Sequence, residues 1–299
     1  MGASIDADIL RIPVGPGSMH VERFGHGGRA IVLVHGFPTS SFLWRYVAPA
    51  LAQANHTAFA VDLLGYGQSD RPIDADYGIA EQAEYLDHAL TAFRLARASF
   101  VGVDLGGTVA LRLAATRPER VERLVVINPP VPLRDQLPGR DVRALQGRGL
   151  GWFFQGLGRI VRSSRSGVMG AAPLLTPILE RSVADPGEHM PPRLVARYLA
   201  PFVGREGIAH LYALARSVRA QDLHESDLRS IQAPTMVVWG EADEWLDSRL
   251  PDELVATVPG SRLTRLPGVG RLVPEEDPER LVEVVLDFVT ASGEKAPVV

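Results

Sequence analysis

Five short apolar runs rich in β-branched residues punctuate the chain: RAIVLVHG (29–36), HTAFAVD (56–62), ASFVGVD (98–104), RLVVIN (123–128) and PTMVVWG (234–240). Their length and lack of polar alternation predict strands buried on both faces. Between them, SFLWRYVAPALAQ (41–53), IAEQAEYLDHALTAF (79–93) and GTVALRLAATRPE (107–119) repeat apolar positions at spacings of three and four, the period of a helix. Strands alternating with helices predict an α/β fold, a mostly parallel sheet covered on both faces. From about Pro132 to Asp222 the strand pattern stops. Breakers such as LPGRD, ADPGEHMPP and VGREG separate helical stretches there, so this segment is expected to be a helical cap. The expected organisation is a core from residues 1–131 and 223–299, with the cap formed by 132–222.

One strand ends in a distinctive turn. In FVGVDLGGTVAL (Phe100–Leu111) an apolar run is followed by Gly-x-Asp-x-Gly-Gly and then by a helical pattern. That is the spacing of a nucleophile elbow, a strained strand-to-helix turn that raises one side chain at the head of the helix. Most such turns raise a serine. Here the raised residue is Asp104.

Composition narrows the chemistry. A net charge of -4 gives no electrostatic case for a nucleic-acid partner. The absence of cysteine removes disulfides, cysteine-ligated zinc and a thiol nucleophile together. No stretch approaches the roughly 20 apolar residues of a membrane span, and the acidic MGASIDADIL lacks the basic and apolar regions of a signal peptide. The expectation is a cytoplasmic protein with a small-molecule substrate or ligand, no cofactor and no metal; its oligomeric state stays open. Of 31 basic residues only Lys295 is lysine, so arginine is the general cation of this chain. The arginine-rich start of the cap, Arg134 to Arg165, reads as a solvated helix face, with an anionic ligand or partner as the alternative.

Taken in order, HGFPTS, DLLGYGQSD, GVDLGG, WGEADEWL and LPGVGRLVPEEDPERL resemble the motifs of the α/β-hydrolase superfamily across nearly the whole chain. The aspartate at the elbow narrows the resemblance to the branch of epoxide hydrolases and of haloalkane and fluoroacetate dehalogenases. The resemblance implies a sheet of about eight strands. It also implies that Asp104 attacks an electrophilic carbon to form an ester, which a histidine oriented by an acid then hydrolyses with water. By the same resemblance the backbone N–H groups of Phe37 and Leu105 form the oxyanion hole. Asp243 matches the acid, with Glu241 and Glu244 as neighbouring competitors.

The pattern breaks at one point. Where such proteins usually read G-x-G-H, this chain reads Gly268-Val269-Gly270-Arg271. No histidine lies in that loop; His35 precedes the oxyanion turn, and His189, His210 and His224 lie in or near the cap. Arginine has no lone pair near neutral pH with which to take a proton from water. It is a fixed cation able to pair with Asp104 or Asp243. The groups that hold a leaving halide in related dehalogenases are replaced by Leu105 and Phe37, whose side chains donate no hydrogen bond. The resemblance to epoxide hydrolases implies cap tyrosines that donate protons to the opening ring, and Tyr198 and Tyr212 are the candidates. Trp152, Phe153, Phe154 and Phe202, with His35, would complete an apolar pocket. Three functions stay open: an enzyme with altered chemistry such as a cyclase, isomerase or lyase; a non-catalytic ligand-binding homologue; and a hydrolase whose histidine has been replaced in this chain.

Overall fold

The computed structural model describes residues 6–131, 133, 170–217, 219 and 222–291. The chain opens with a hairpin of β1 (Asp8–Pro13) and β2 (Ser18–Phe24), then alternates. β3 (Ala30–Val34) leads through a short turn of helix into α1 (Val47–Gln53), and β4 (Thr57–Val61) leads to α2 (Ile79–Ala92). β5 (Ala98–Val103) feeds α3 (Leu105–Thr116), and β6 (Val121–Ile127) closes the first half of the core. Helices α4 (Ala172–Glu180), α5 (Pro186–His189), α6 (Pro192–Leu199) and α7 (Gly204–Ser217) follow. After α8 (Glu225–Arg229) the core resumes with β7 (Thr235–Gly240), α9 (Leu250–Thr257), β8 (Arg262–Leu266), α10 (Val273–Glu276) and α11 (Pro278–Thr290).

The eight strands form one sheet in the order β1-β2-β4-β3-β5-β6-β7-β8, antiparallel at β1–β2 and β2–β4 and parallel elsewhere. This is the expected α/β architecture. The five apolar runs are β3 to β7, and nearly every one of their side chains is buried, Val32, Leu33, Ala60, Phe100, Val125 and Val238 among them. Each fully buried valine, leucine or phenylalanine among them contributes about 1.5–3 kcal/mol relative to exposure. β1 and β8 lie at the sheet edges, and their exposed or half-buried positions explain why they carry no apolar run.

The connectivity also places a crevice. From β3 the chain steps to β4 on one side, then returns to place β5 on the other. The loops leaving β3 and β5 therefore diverge at the carboxyl ends of adjacent strands, where open α/β sheets hold their ligands. Cap helices α4, α6 and α7 bury Leu175, Leu179, Leu199, Leu211 and Leu214. No described helix is long and apolar enough to cross a membrane.

Candidate functional site

Asp104 stands between β5 and α3 with φ 51° and ψ -127°, a left-handed backbone that a non-glycine residue adopts only under strain. Neighbouring backbone fixes it there. Its N–H donates to the Ile127 carbonyl at 2.9 Å, and its carbonyl accepts from Gly107 N–H at 2.9 Å. Gly36 is required beside it: a Cβ at that position would lie 2.5 Å from the Asp104 Cβ and 2.7 Å from Oδ2. Gly106 is required behind it, because a Cβ there would meet the His35 and Val34 carbonyls at 2.3 and 2.4 Å. The two glycines let the loops after β3 and β5 touch, and the carboxylate sits in the contact.

Each carboxylate oxygen has a donor. Phe37 N–H donates to Oδ2 at 2.9 Å, and Arg271 Nη1 donates to Oδ1 at 3.2 Å. Asp104 is only 4% exposed. Burial pushes its pKa up, while Arg271 and the Leu105 and Phe37 N–H groups pull it down; the nearby charge of Asp243 raises it again, and the balance stays above the ordinary aspartate value. The site thus holds a carboxylate more basic than usual beside a permanent cation.

Arg271 enters from the loop after β8. Its Nη2 donates to Ser182 Oγ at 2.7 Å, its guanidinium lies 5.5 Å from the Trp245 ring, and its Nε is buried with no hydrogen-bond partner among the described residues. It makes no hydrogen bond to Asp243. That residue is held by other means: Asn128 Nδ2 donates to Oδ2 at 3.0 Å and Trp245 N–H donates to Oδ1 at 2.9 Å. Glu241 instead accepts from Arg265 at 3.3 Å, and Glu244 is exposed.

Asn128 and Ser182 carry no motif. Asn128 ends the β6 run with φ 42° and is fully buried; its side chain also accepts from Gly240 N–H at 2.8 Å, tying β6 to β7 beneath Asp243. A polar residue closing an otherwise apolar buried strand is the signal that marks it. Ser182, in a cap loop, has no such signal.

Several pocket expectations need correction. His35 is fully buried, with Nδ1 bonded to the Gly36 carbonyl at 2.8 Å and Nε2 accepting from Leu63 N–H at 3.1 Å. Burial lowers its pKa, and the two bonds fix a neutral tautomer with no lone pair to offer. It braces the turn rather than lining a pocket. Tyr198 is 2% exposed, and its hydroxyl donates to Glu275 Oε1, so it serves a different cluster. Tyr212 is 49% exposed on α7. Trp152, Phe153 and Phe154 lie outside the described residues, as does the arginine-rich stretch. Phe202 is buried with its ring 6.4 Å from Phe37, and Tyr66 packs 6.4 Å from the same ring. His210 stacks on Phe202 and donates Nε2–H to the Gly65 carbonyl at 2.5 Å; burial lowers its pKa to about 4. None of the eight histidines hydrogen-bonds Asp104 or Asp243 among the described residues.

Known proteins share this arrangement of chain. Haloalkane dehalogenase 2 of Mycobacterium bovis is 28% identical over 274 residues, 87% of each chain. Bifunctional epoxide hydrolase 2 of Sus scrofa is 39% identical over 113 residues, 38% of this chain and 20% of its own length. The crystal structure of an α/β-hydrolase fold protein from Burkholderia ambifaria superposes with a TM-score of 0.78 at 27% identity, covering 94% of this chain and 99% of that one. The model of the α/β-hydrolase fold family matches residues 29–278, the span that includes the elbow, both flanking loops and Arg271, and the chain belongs to that family.

Proposed function

We propose that this is an enzyme acting on a small, largely apolar organic molecule in a capped pocket centred on Asp104. Its chemistry departs from the two-step hydrolysis suggested by epoxide hydrolase and haloalkane dehalogenase relatives. The observation that carries the reading is the hydrogen bond from Arg271 to Asp104 Oδ1, at the place where those relatives need a base.

Three consequences follow from the chemistry of these groups. Asp104 Oδ2 accepts from the Phe37 N–H, and the Leu105 N–H also favours the charged carboxylate, so its charge is stabilised by fixed main-chain donors. Oδ1 remains a proton acceptor of raised basicity, with Arg271 stabilising negative charge beside it. An ester formed on Oδ1 would face no base able to activate water, because a guanidinium keeps its protons. The set suits a reaction in which Asp104 takes a proton from one atom of the substrate and returns it to another. Isomerisation, cyclisation and elimination are of that kind.

The test is steady-state kinetics of the unaltered chain, R271H and D104N on one panel of epoxides, simple esters and haloalkanes, with intact mass to detect an ester. The unaltered chain is expected to show little or no multiple-turnover hydrolysis. R271H is expected to gain epoxide or ester turnover, and D104N to lose all activity. Robust hydrolysis by the unaltered chain would overturn this account of the site. A co-purified ligand retained equally by D104N, with no reaction in any variant, would replace it with a binding protein.

A further inference from the structure

Among the described cap residues, one hydroxyl hydrogen-bonds the Asp104–Arg271 pair. Ser182 lies just beyond α4 and is 1% exposed. Its Oγ donates its single proton to the Ile178 carbonyl at 2.6 Å, which turns the oxygen lone pairs toward Arg271 Nη2 at 2.7 Å. Its carbonyl accepts from Leu272 N–H at 2.9 Å, so the same residue grips the Arg271 loop by main chain and side chain. Glu276 extends the grip: Oε1 accepts from Ala184 N–H at 2.5 Å and Oε2 from Gly270 N–H at 2.6 Å.

This explains an odd geometry. A guanidinium is a planar fork that matches both oxygens of a carboxylate, and bidentate pairing is its strongest mode. Arg271 makes a single 3.2 Å bond to Asp104 and leaves Nε orphaned, although no other carboxylate bonds it among the described residues. Ser182 holds the nitrogen that would complete the fork.

We propose that Ser182 is a positioning residue: its hydroxyl holds one terminal nitrogen of Arg271, limits the guanidinium to one hydrogen bond with Asp104, and so keeps that carboxylate reactive. This rests on the reading of Asp104 as the reactive group. A full fork would make Asp104 a passive counter-ion. With the single contact, Oδ1 keeps lone-pair capacity for a substrate.

Asp104 is read directly, without substrate, from the NMR titration of its carboxyl carbon in protein labelled with 13C at aspartate Cγ. Its resonance is identified by its absence in D104N. The groups facing it are Arg271, Asp243 after β7, His35 after β3 and Tyr66 after β4. In S182A the released nitrogen turns to the carboxylate, and the Asp104 midpoint is expected to fall by about one pH unit. S182C keeps the volume and loses most of the acceptor strength, so it is expected to fall likewise. The same S182A change made in R271Q is expected to leave the R271Q midpoint where it was, which a general packing defect would not do. A midpoint that stays or rises in S182A and S182C, or an equal fall in the R271Q background, overturns the proposal. Since the titration needs no turnover, loss of the proposed function by the D104N test is a separate result from loss of this one.

Discussion

Arg45 and Arg271 each meet a carboxylate where cap and core join, and they are built on different plans. Arg45 grips Glu275 with both terminal nitrogens, at 2.7 and 2.6 Å. The Tyr198 hydroxyl also donates to that carboxylate, and the Arg45 guanidinium lies over the Phe42 and Tyr46 rings at 4.5 and 4.4 Å. Arg271 touches Asp104 once and leaves a buried N–H without a partner among the described residues. A buried ion pair is worth keeping for stability only when its hydrogen-bonding groups are satisfied. The Arg45 cluster meets that condition and reads as a clamp between α6 and α10. The Arg271 cluster does not, and its under-satisfied guanidinium beside the strained Asp104 turn supports the proposal that these groups are held for chemistry.

The largest effect that tests this contrast is on turnover. R271H puts a base beside Asp243, and general-base catalysis commonly contributes about 10²–10⁴-fold, so epoxide or ester hydrolysis is expected to rise on that scale. Haloalkane turnover is expected to stay poor because Leu105 and Phe37 still offer no side-chain donor. Y198F is expected to leave the gain in place; a gain that needs the Tyr198 hydroxyl would erase the distinction between the two clusters.

Stability should show the opposite ranking. E275A strands the Arg45 cation and the Tyr198 hydroxyl together, and urea unfolding is expected to register a loss of about 3–5 kcal/mol. R271M, by contrast, leaves a carboxylate whose charged form burial already disfavours and whose N–H donors remain.

Between these in size lies a pH effect at His210, which stacks on Phe202. His210 has a folded pKa of about 4, below the usual 6.5, so the unfolded chain binds the extra proton first as pH falls. Its contribution to stability is whole above about pH 6.5 and is lost as pH falls toward 4. About 2 kcal/mol should disappear between pH 7 and pH 5, with His35 acting in the same direction. Urea midpoints of the unaltered chain and H210Q at the two pH values measure it; equal pH dependence in both would remove His210 as the cause. Smallest of all, R271M is expected to cost less than E275A at pH 6, because burial already disfavours the charged form of Asp104, and a loss matching that of E275A would make the two pairs alike.

How much of this the sequence carries depends on where each partner lies. β3 to β7 were legible because strands buried on both faces must be apolar throughout, whereas the half-exposed β1 and β8 have no such requirement. The elbow was legible because its Gly-x-Asp-x-Gly-Gly spacing is one contiguous run, although the contacts that require it come from Val34 to Phe37 and from Ile127. Arg271 stood out against its motif for the same reason. Tyr198 was misread because its partner Glu275 is 77 residues away and on the other side of the cap seam. Ser182 was invisible for a related reason: its partner Arg271 is 89 residues on, and a serine in a loop is unremarkable until the fold brings a guanidinium to it.

Phe37 and Leu105 serve Asp104 only through main-chain N–H groups. A main-chain donor survives every replacement except proline. The two positions flanking the carboxylate are therefore open to exchange of their side chains while the grip on the anion is inherited unchanged. Descendants of such a chain can change the side chains around the carboxylate one codon at a time while its main-chain donors stay in place.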